Sequence, residues 1–527
     1  MASRDQFETK HPTIFSPSLL IVMIVLSVLG GIIGVQLITS LGISANTSIV
    51  GAVFAMILAR IPLNALMKFK SVHNQNLVQT SISAATFGAA SSLILPIGVP
   101  YVLGMEHLIT PLFIGVAVAM IVDAYLLYKM FDTKVFPAKG TWPPGVATAE
   151  AIKAGDEGGS RAKFLLGGIV IGIVGSILKI PMSAFGVAFI GNIWALSMFG
   201  IGLLLRGYSI PLFGVDINEY YIPHGFMIGA GIVTLGQIMV LIFKKKKSEK
   251  QEESYSKEGK EFGQAFGQGF IAYLIISLFL AISGGLYADL SPGMFVLFLV
   301  FATIAAFAHE LIVGIAAMHA GWFPAFAVAL ITLILGILIG FPPEALALLV
   351  GFSACTGVAF ADMGYDFKTG YMLRGNGENQ AFERQGRKQQ LFAAFIGFFV
   401  AAIVVLFSFQ SYFDQGLIPP VDKVYAATIE SGISGDVAKQ LMIWAIPGAL
   451  LQLIGGSTRQ MGILFATGLL LTSPLAGWAV LAGIIIRFAV LRSPAAKYEQ
   501  HMTIMAAGVI AGDAIYSFFS SILKIGK

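Results

Sequence analysis

Charge is what this sequence has least of. Lysine, arginine, aspartate and glutamate supply 12% of its 527 residues, where a soluble domain needs about a quarter to cover its surface. Hydrophobic residues make up 57%, and mean hydropathy is +0.83. That balance excludes a water-soluble globular enzyme, and lipid is the surface such a chain suits. Cysteine is almost absent. Cys355 stands alone, which excludes an intramolecular disulfide, and its apolar setting (GFSACTGVAF) reads as a packing position. No G-x-x-x-x-G-K-[ST] loop is present, so ATP hydrolysis is not expected. No H-E-x-x-H pair or Cys/His cluster has metal-site spacing. No helix repeats arginine every third residue as a voltage sensor does. The apolar runs are continuous, which argues against a transmembrane β-barrel.

Those runs organise the chain. A membrane helix needs about 20 apolar residues, and runs of that size fall at Ser18–Ile38, Ser44–Ile61, Thr110–Met130 and Pro223–Phe243, among others. Asn76–Leu103 and Phe185–Leu205 are interrupted by Gly, Pro and polar residues. They read as broken or re-entrant segments, because irregular backbone at membrane depth survives only inside protein or along a cavity. The expected fold is an all-α polytopic membrane protein of about 14–16 membrane segments, broken ones included.

One composition break divides it. From Lys244 to Glu261, 12 of 18 residues are charged. Beyond it earlier patterns return: Phe301–Ala308 echoes Phe54–Ile61, and Phe465–Leu471 echoes Phe199–Leu205. The offsets, 301 − 54 = 247 and 465 − 199 = 266, drift as loop insertions would make them. The reading is two tandem halves of equal orientation. The divisions are a tail over 1–17, a first half over 18–243, a linker over 244–262 and a second half over 263–527. Equal orientation puts the N-terminus and the linker on one side, and Lys244–Lys247 make that side cytoplasmic by the positive-inside rule. Phe131–Lys163 then lies inside with five basic residues, and Ser411–Lys439 outside with four acids against two lysines. The expected location is the cell membrane.

Ionisable groups at membrane depth cost about 2.5–3.5 kcal/mol each on insertion scales and face protein or water. His309 and Glu310 sit in the apolar stretch Met294–Phe341, where an adjacent imidazole and carboxylate suit proton exchange. His319, on the same stretch, joins the substrate-binding candidates. Asn76, Gln79 and Thr80 share a helix face at i, i+3, i+4 spacing. With His73 and Asn74 they offer uncharged donors and acceptors to a peptide-like or chelate ligand, or else glue helices together. Asp362, Asp366 and Lys368 suggest an ion site at the cytoplasmic mouth or a charged helix end. Asp513 is isolated in the last helix and needs a buried partner, for which Arg60, Arg459 and Arg487 are candidates. Glu150 and Asp123 lie near segment ends, where solvation is cheap.

The run His73-Asn-Gln-Asn-Leu-Val-Gln-Thr80 resembles the E-N-N-x-V-Q-T segment of the oligopeptide transporter (OPT) superfamily. Pro144–Gly155 resembles its P-x-G-x-A-x-A-E-x-[IL]-x-x-G loop, Asp366–Tyr371 its D-x-K-x-G-Y/H motif, and Glu310–Gly314 its E-L-I-x-G element. The motifs keep their order across nearly the whole chain. His73 replaces the usual acid, and no N-P-G-type motif is present, which leans towards the yellow stripe-like or prokaryotic branch. The resemblance implies a proton-coupled symporter importing small oligopeptides or peptide-like metal chelates by alternating access. It supports the Asn74–Thr80 cluster, Glu310, Asp366 and Lys368 as functional residues. The expected partners are the lipid bilayer and a small peptide or metal-chelate substrate moving with protons. Assembly as a homo-oligomer is left open, and neither nucleic acid nor a cofactor is expected. A channel, and behind it a membrane-embedded enzyme, are the alternatives.

Overall fold

In a computed structural model, residues 10–41, 51–52, 56, 68–243, 249–321, 325–432, 435–492 and 497–525 are described. They form helices, with no strand among them. Eleven helical stretches are long and apolar enough to cross a membrane, and three shorter apolar helices accompany them. Apart from residues 51, 52 and 56, the run Ser44–Ile61 with its repeat element at 54–61 lies outside the described residues, as do Arg60 and Lys244–Lys247. From Glu249 onward the charged stretch is already the start of a 35-residue helix.

In chain order the first part contains α1 (Pro17–Leu41), α2 (Val72–Phe87), α3 (Leu95–Val102), α4 (Ile109–Met130), α5 (Pro143–Glu157), α6 (Gly159–Ile177), α7 (Met182–Val187), α8 (Ile193–Phe213) and α9 (Ile222–Phe243). The second contains α10 (Glu249–Ser283), α11 (Pro292–Ala320), α12 (Ala325–Ile339), α13 (Pro343–Cys355), α14 (Val358–Leu373), α15 (Gln380–Asp414), α16 (Pro420–Ser431), α17 (Gly435–Arg459), α18 (Met461–Leu470), α19 (Pro474–Leu491) and α20 (Lys497–Ile525).

Two spans, Val72–Val102 and Pro343–Leu373, are wholly buried across their most apolar windows. The other spans turn side chains such as Ile171, Ile403 and Ile486 outward, as lipid-facing helices do. Both central spans are interrupted. Between α2 and α3 the backbone runs as a π-helix over Gly88–Ile94. Pro96 and Pro100, which have no N–H to give the preceding turn, follow it. Between α13 and α14 the helix breaks outright: Thr356 is extended (φ −70°, ψ 147°) and Gly357 has φ +84°. A side chain at Gly357 would meet Val313 and the Glu310 backbone, so position and conformation both call for glycine.

The expected interruption at Phe185–Leu205 falls between α7 and α8. Arg487 from α19 donates to the carbonyls of Ala188 (3.1 Å) and Gly191 (2.7 Å) in that gap. Asp513 from α20 accepts from Ser176 Oγ (2.5 Å) and the backbone N–H of Ser183 (2.8 Å). Among the described residues its partners are a hydroxyl and a backbone amide rather than the expected Arg459 or Arg487, and Arg60 lies outside them. Arg459 lies over the Trp194 ring at 4.6 Å. Alongside, α6 and α20 meet through facing G-x-x-x-G pairs. A side chain on Gly168 or Gly172 would collide with the α20 backbone around Gly508 and Gly512. Small residues at this spacing let membrane helices approach to backbone contact.

Candidate functional site

Polar groups line up along the two enclosed spans. They begin at the end of the molecule where α2 and α15 start. There Arg374 donates to both carboxylate oxygens of Glu383 (2.8 and 3.1 Å) and to Gln390 Oε1 (2.8 Å), all buried. His73 packs its ring between His11 and Phe382, with centroids 5.2 and 5.1 Å away. Asn74 donates to the carbonyl of Lys68 at 2.8 Å and so fastens the turn that starts α2. A cavity of about 360 Å³ opens here, lined by His73, Lys153, Asp156, Arg374 and Glu378 among others.

One turn deeper the Asn76, Gln79 and Thr80 face meets α14 and α15. Asn76 donates to Gln79 Oε1 at 3.0 Å, and Gln79 donates to Asp366 Oδ1 at 2.5 Å. Gln390 donates to Thr80 Oγ1 (3.2 Å) and to the Asp366 carbonyl (2.6 Å). The spacing did place these side chains together. They are buried in a mutual network, however, and only His73 of the group borders the cavity. A turn further in, Ser83 Oγ donates to Asp362 Oδ1 at 2.6 Å. Asp362 Oδ2 is buried with no hydrogen-bond partner among the described residues. Lys368 turns away from both aspartates and donates to the Ala138 carbonyl at 2.9 Å.

The break in the second span lies deepest. Gly357 is the fifteenth of that span's 31 residues, so the opening falls near its midpoint. Its N–H donates to Asp123 Oδ2 at 2.8 Å, and Tyr273 OH donates to Asp123 Oδ1 at 2.5 Å. Asp123 is completely buried. The expectation of cheap solvation near a segment end is therefore corrected, because neighbouring helices close over it. Glu310 is completely buried as well, close enough to Asp123 for the two carboxyls to interact. The Tyr273 hydroxyl neighbours Glu310 as well, but no well-formed hydrogen bond reaches either Glu310 oxygen among the described residues. Beside it His309 has its ring nitrogens 2.5 Å from the Thr356 carbonyl and 2.7 Å from the Ala325 carbonyl.

The remaining candidates lie apart. His319 is at the foot of α11, where its carbonyl accepts from Asn192 N–H and its ring nears the Asn192 amide at 3.4 Å. Glu150, midway along α5, is buried and pairs with Arg161 of α6, so its expected cheap solvation is corrected as well. Sequence reasoning misjudged Asp123 and missed Tyr273, Arg374, Glu383 and Gln390. Only Glu383 and Gln390 carried a signal, since seven residues apart they occupy one face of α15.

Two of the motifs meet directly. Thr369 Oγ1 donates to the Gly145 carbonyl at 3.0 Å, and Gly145 has no room for a side chain against Tyr365 and Lys368. Gly364 likewise makes way for the buried Trp142 ring.

An all-helical bundle with enclosed, interrupted spans and ionisable groups at their breaks is the architecture of a polytopic membrane transport protein. A family model described as OPT oligopeptide transporter protein matches residues 16–244 and 239–524, and the chain belongs to that family. The two matched segments meet at the charged stretch. No match is found among curated protein sequences.

Proposed function

We propose that this transporter is a proton-coupled symporter that imports small oligopeptides or peptide-like metal chelates across the cell membrane by alternating access. The observation that carries the reading is Glu310: a carboxyl completely buried, without a well-formed hydrogen bond among the described residues, beside Asp123 and Tyr273 at a break in an enclosed span. A carboxylate left so would cost several kcal/mol. Glu310 therefore holds a proton while enclosed and releases it when the path opens to water. The polar chain supports access from one side at a time. From His73 to Ser83 it covers ten residues of helix, about 15 Å, and it continues along α14 to the break. His73 borders the cavity and the deeper groups are shut from it, so we read this arrangement as an occluded state open at its foot. Substrate would meet the Asn76, Gln79 and Thr80 face once Gln79 and Gln390 release Asp366. A channel would need a standing water path past these groups. In this reading the N-terminus is cytoplasmic.

The test uses Glu310→Gln protein reconstituted in vesicles. Proton-driven accumulation should fall at least about tenfold, while counterflow exchange stays within about threefold of wild type, because a fixed neutral group mimics the loaded carrier. Undiminished accumulation under an imposed pH gradient would refute the coupling role.

A further inference from the structure

His309 is the least ordinary group at the break. Each ring nitrogen lies within hydrogen-bonding distance of a backbone carbonyl, Thr356 on one side and Ala325 on the other. A carbonyl oxygen only accepts, so each nitrogen must donate. A neutral imidazole has one N–H and one lone pair, and only the imidazolium donates from both nitrogens. Either neutral tautomer would press a lone pair against a carbonyl lone pair at 2.5 or 2.7 Å. The two carbonyls belong to the break itself and to the first residue of α12, so the ring also ties three helices together.

We infer that His309 is a fixed imidazolium cation held by these two carbonyls at the break, leaving Glu310 as the group that exchanges the transported proton. This rests on the coupling reading above and removes His309 from the relay expected of it. The neighbouring charges support it. Asp123 receives one donor on each oxygen, the arrangement of a carboxylate. Tyr273 uses its proton on Asp123. Glu310 neighbours that same hydroxyl but receives no well-formed hydrogen bond among the described residues. From α14, Asp362, Asp366 and Lys368 engage Ser83, Gln79 and the Ala138 carbonyl. From α13 the titratable groups are Glu344 and Cys355, and α12 contributes no titratable residue. His309 is then the one cation at the break among the described residues, and the Thr356-Gly357 peptide stands between it and Asp123, its carbonyl on the ring and its N–H on the carboxylate.

The chain has seven histidines, so the test is nitrogen-15 solid-state NMR of full-length protein in lipid with labelled histidine. The His309 signals are those lost in His309→Gln. Should that variant fail to assemble, His309→Lys keeps a cation and yields the same difference spectrum. The expected result is two protonated ring nitrogens, unchanged between about pH 6 and about pH 9. A bare nitrogen in that difference spectrum at any of these pH values overturns the inference. The result is separable from the coupling reading. A persistent imidazolium in a protein whose uptake ignores a pH gradient would remove Glu310's role and leave that of His309. A neutral His309 in a proton-driven transporter would do the reverse.

Discussion

At the scale of residues, the same side-chain chemistry takes different roles according to its neighbours. His11 lies ahead of the first span, and its backbone N–H and that of Ile14 reach Gln385 and Gln389 of α15 (3.4 and 3.0 Å). Burial, with repulsion from Arg374, lowers the His11 imidazole from 6.5 to about 3. The docked segment thus keeps the ring neutral, whereas a released one would protonate near 6.5. Docking is therefore at full strength above that value and weakens as pH falls towards about 3. A nitroxide on Phe15→Cys, an exposed position, should be immobile at about pH 8 and gain a mobile component by about pH 5. In a His11→Phe background that change should vanish, and equal mobility at both pH values would show the docking to be independent of this ring. His73 was legible in the sequence because of its neighbours in the H-N-Q-N run. His11 was not, because nothing in MASRDQFETKHPTIF reveals that a helix start 370 residues later receives it. Asp123 was misjudged for a similar reason: distance from the end of an apolar run measures depth only when no other helix covers the spot.

At the scale of elements, interruptions could be read where proline and glycine accumulate. Asn76–Leu103 and Phe185–Leu205 both depart from plain α-helix where expected. The break at Thr356-Gly357 was hidden because its flanks, GFSAC and VAFA, are as apolar as any continuous helix, and one Thr-Gly pair is weak punctuation. Helix contact is more predictable. Gly168 of α6 lies against α20, whereas Gly167 has nothing within 4 Å. Gly168→Leu forces the helices apart and should destabilise the protein by about 1–3 kcal/mol, the usual range for overpacking. Gly167→Leu should be nearly neutral. Thermal unfolding in detergent distinguishes them, and equal midpoints would show that the facing glycines do not set this contact.

At the scale of the whole molecule, contacts sort the loops into two ends independently of charge. Arg387 donates to the Phe131 carbonyl and His11 docks on α15, so the N-terminal segment, the start of the polar stretch at Phe131 and the start of α15 share one end. Tyr101 donates to Asp414 at 3.3 Å, which joins the far ends of α3 and α15 at the other. The first end carries Lys134, Lys139, Arg384 and Lys388 beside Asp132 and Glu378, and the second carries Glu106, Asp414 and Glu430 beside Lys423. On the positive-inside rule we predict that the first end, with the cavity at His73, faces the cytoplasm. Cys355 is buried, so single cysteines at the exposed positions Glu378 and Gln415 report the two ends. In intact cells an impermeant maleimide should label Gln415→Cys at once and Glu378→Cys only after permeabilisation. The opposite pattern would turn the transporter over, and the cavity at His73 would then be an entrance facing the medium rather than the exit that import requires.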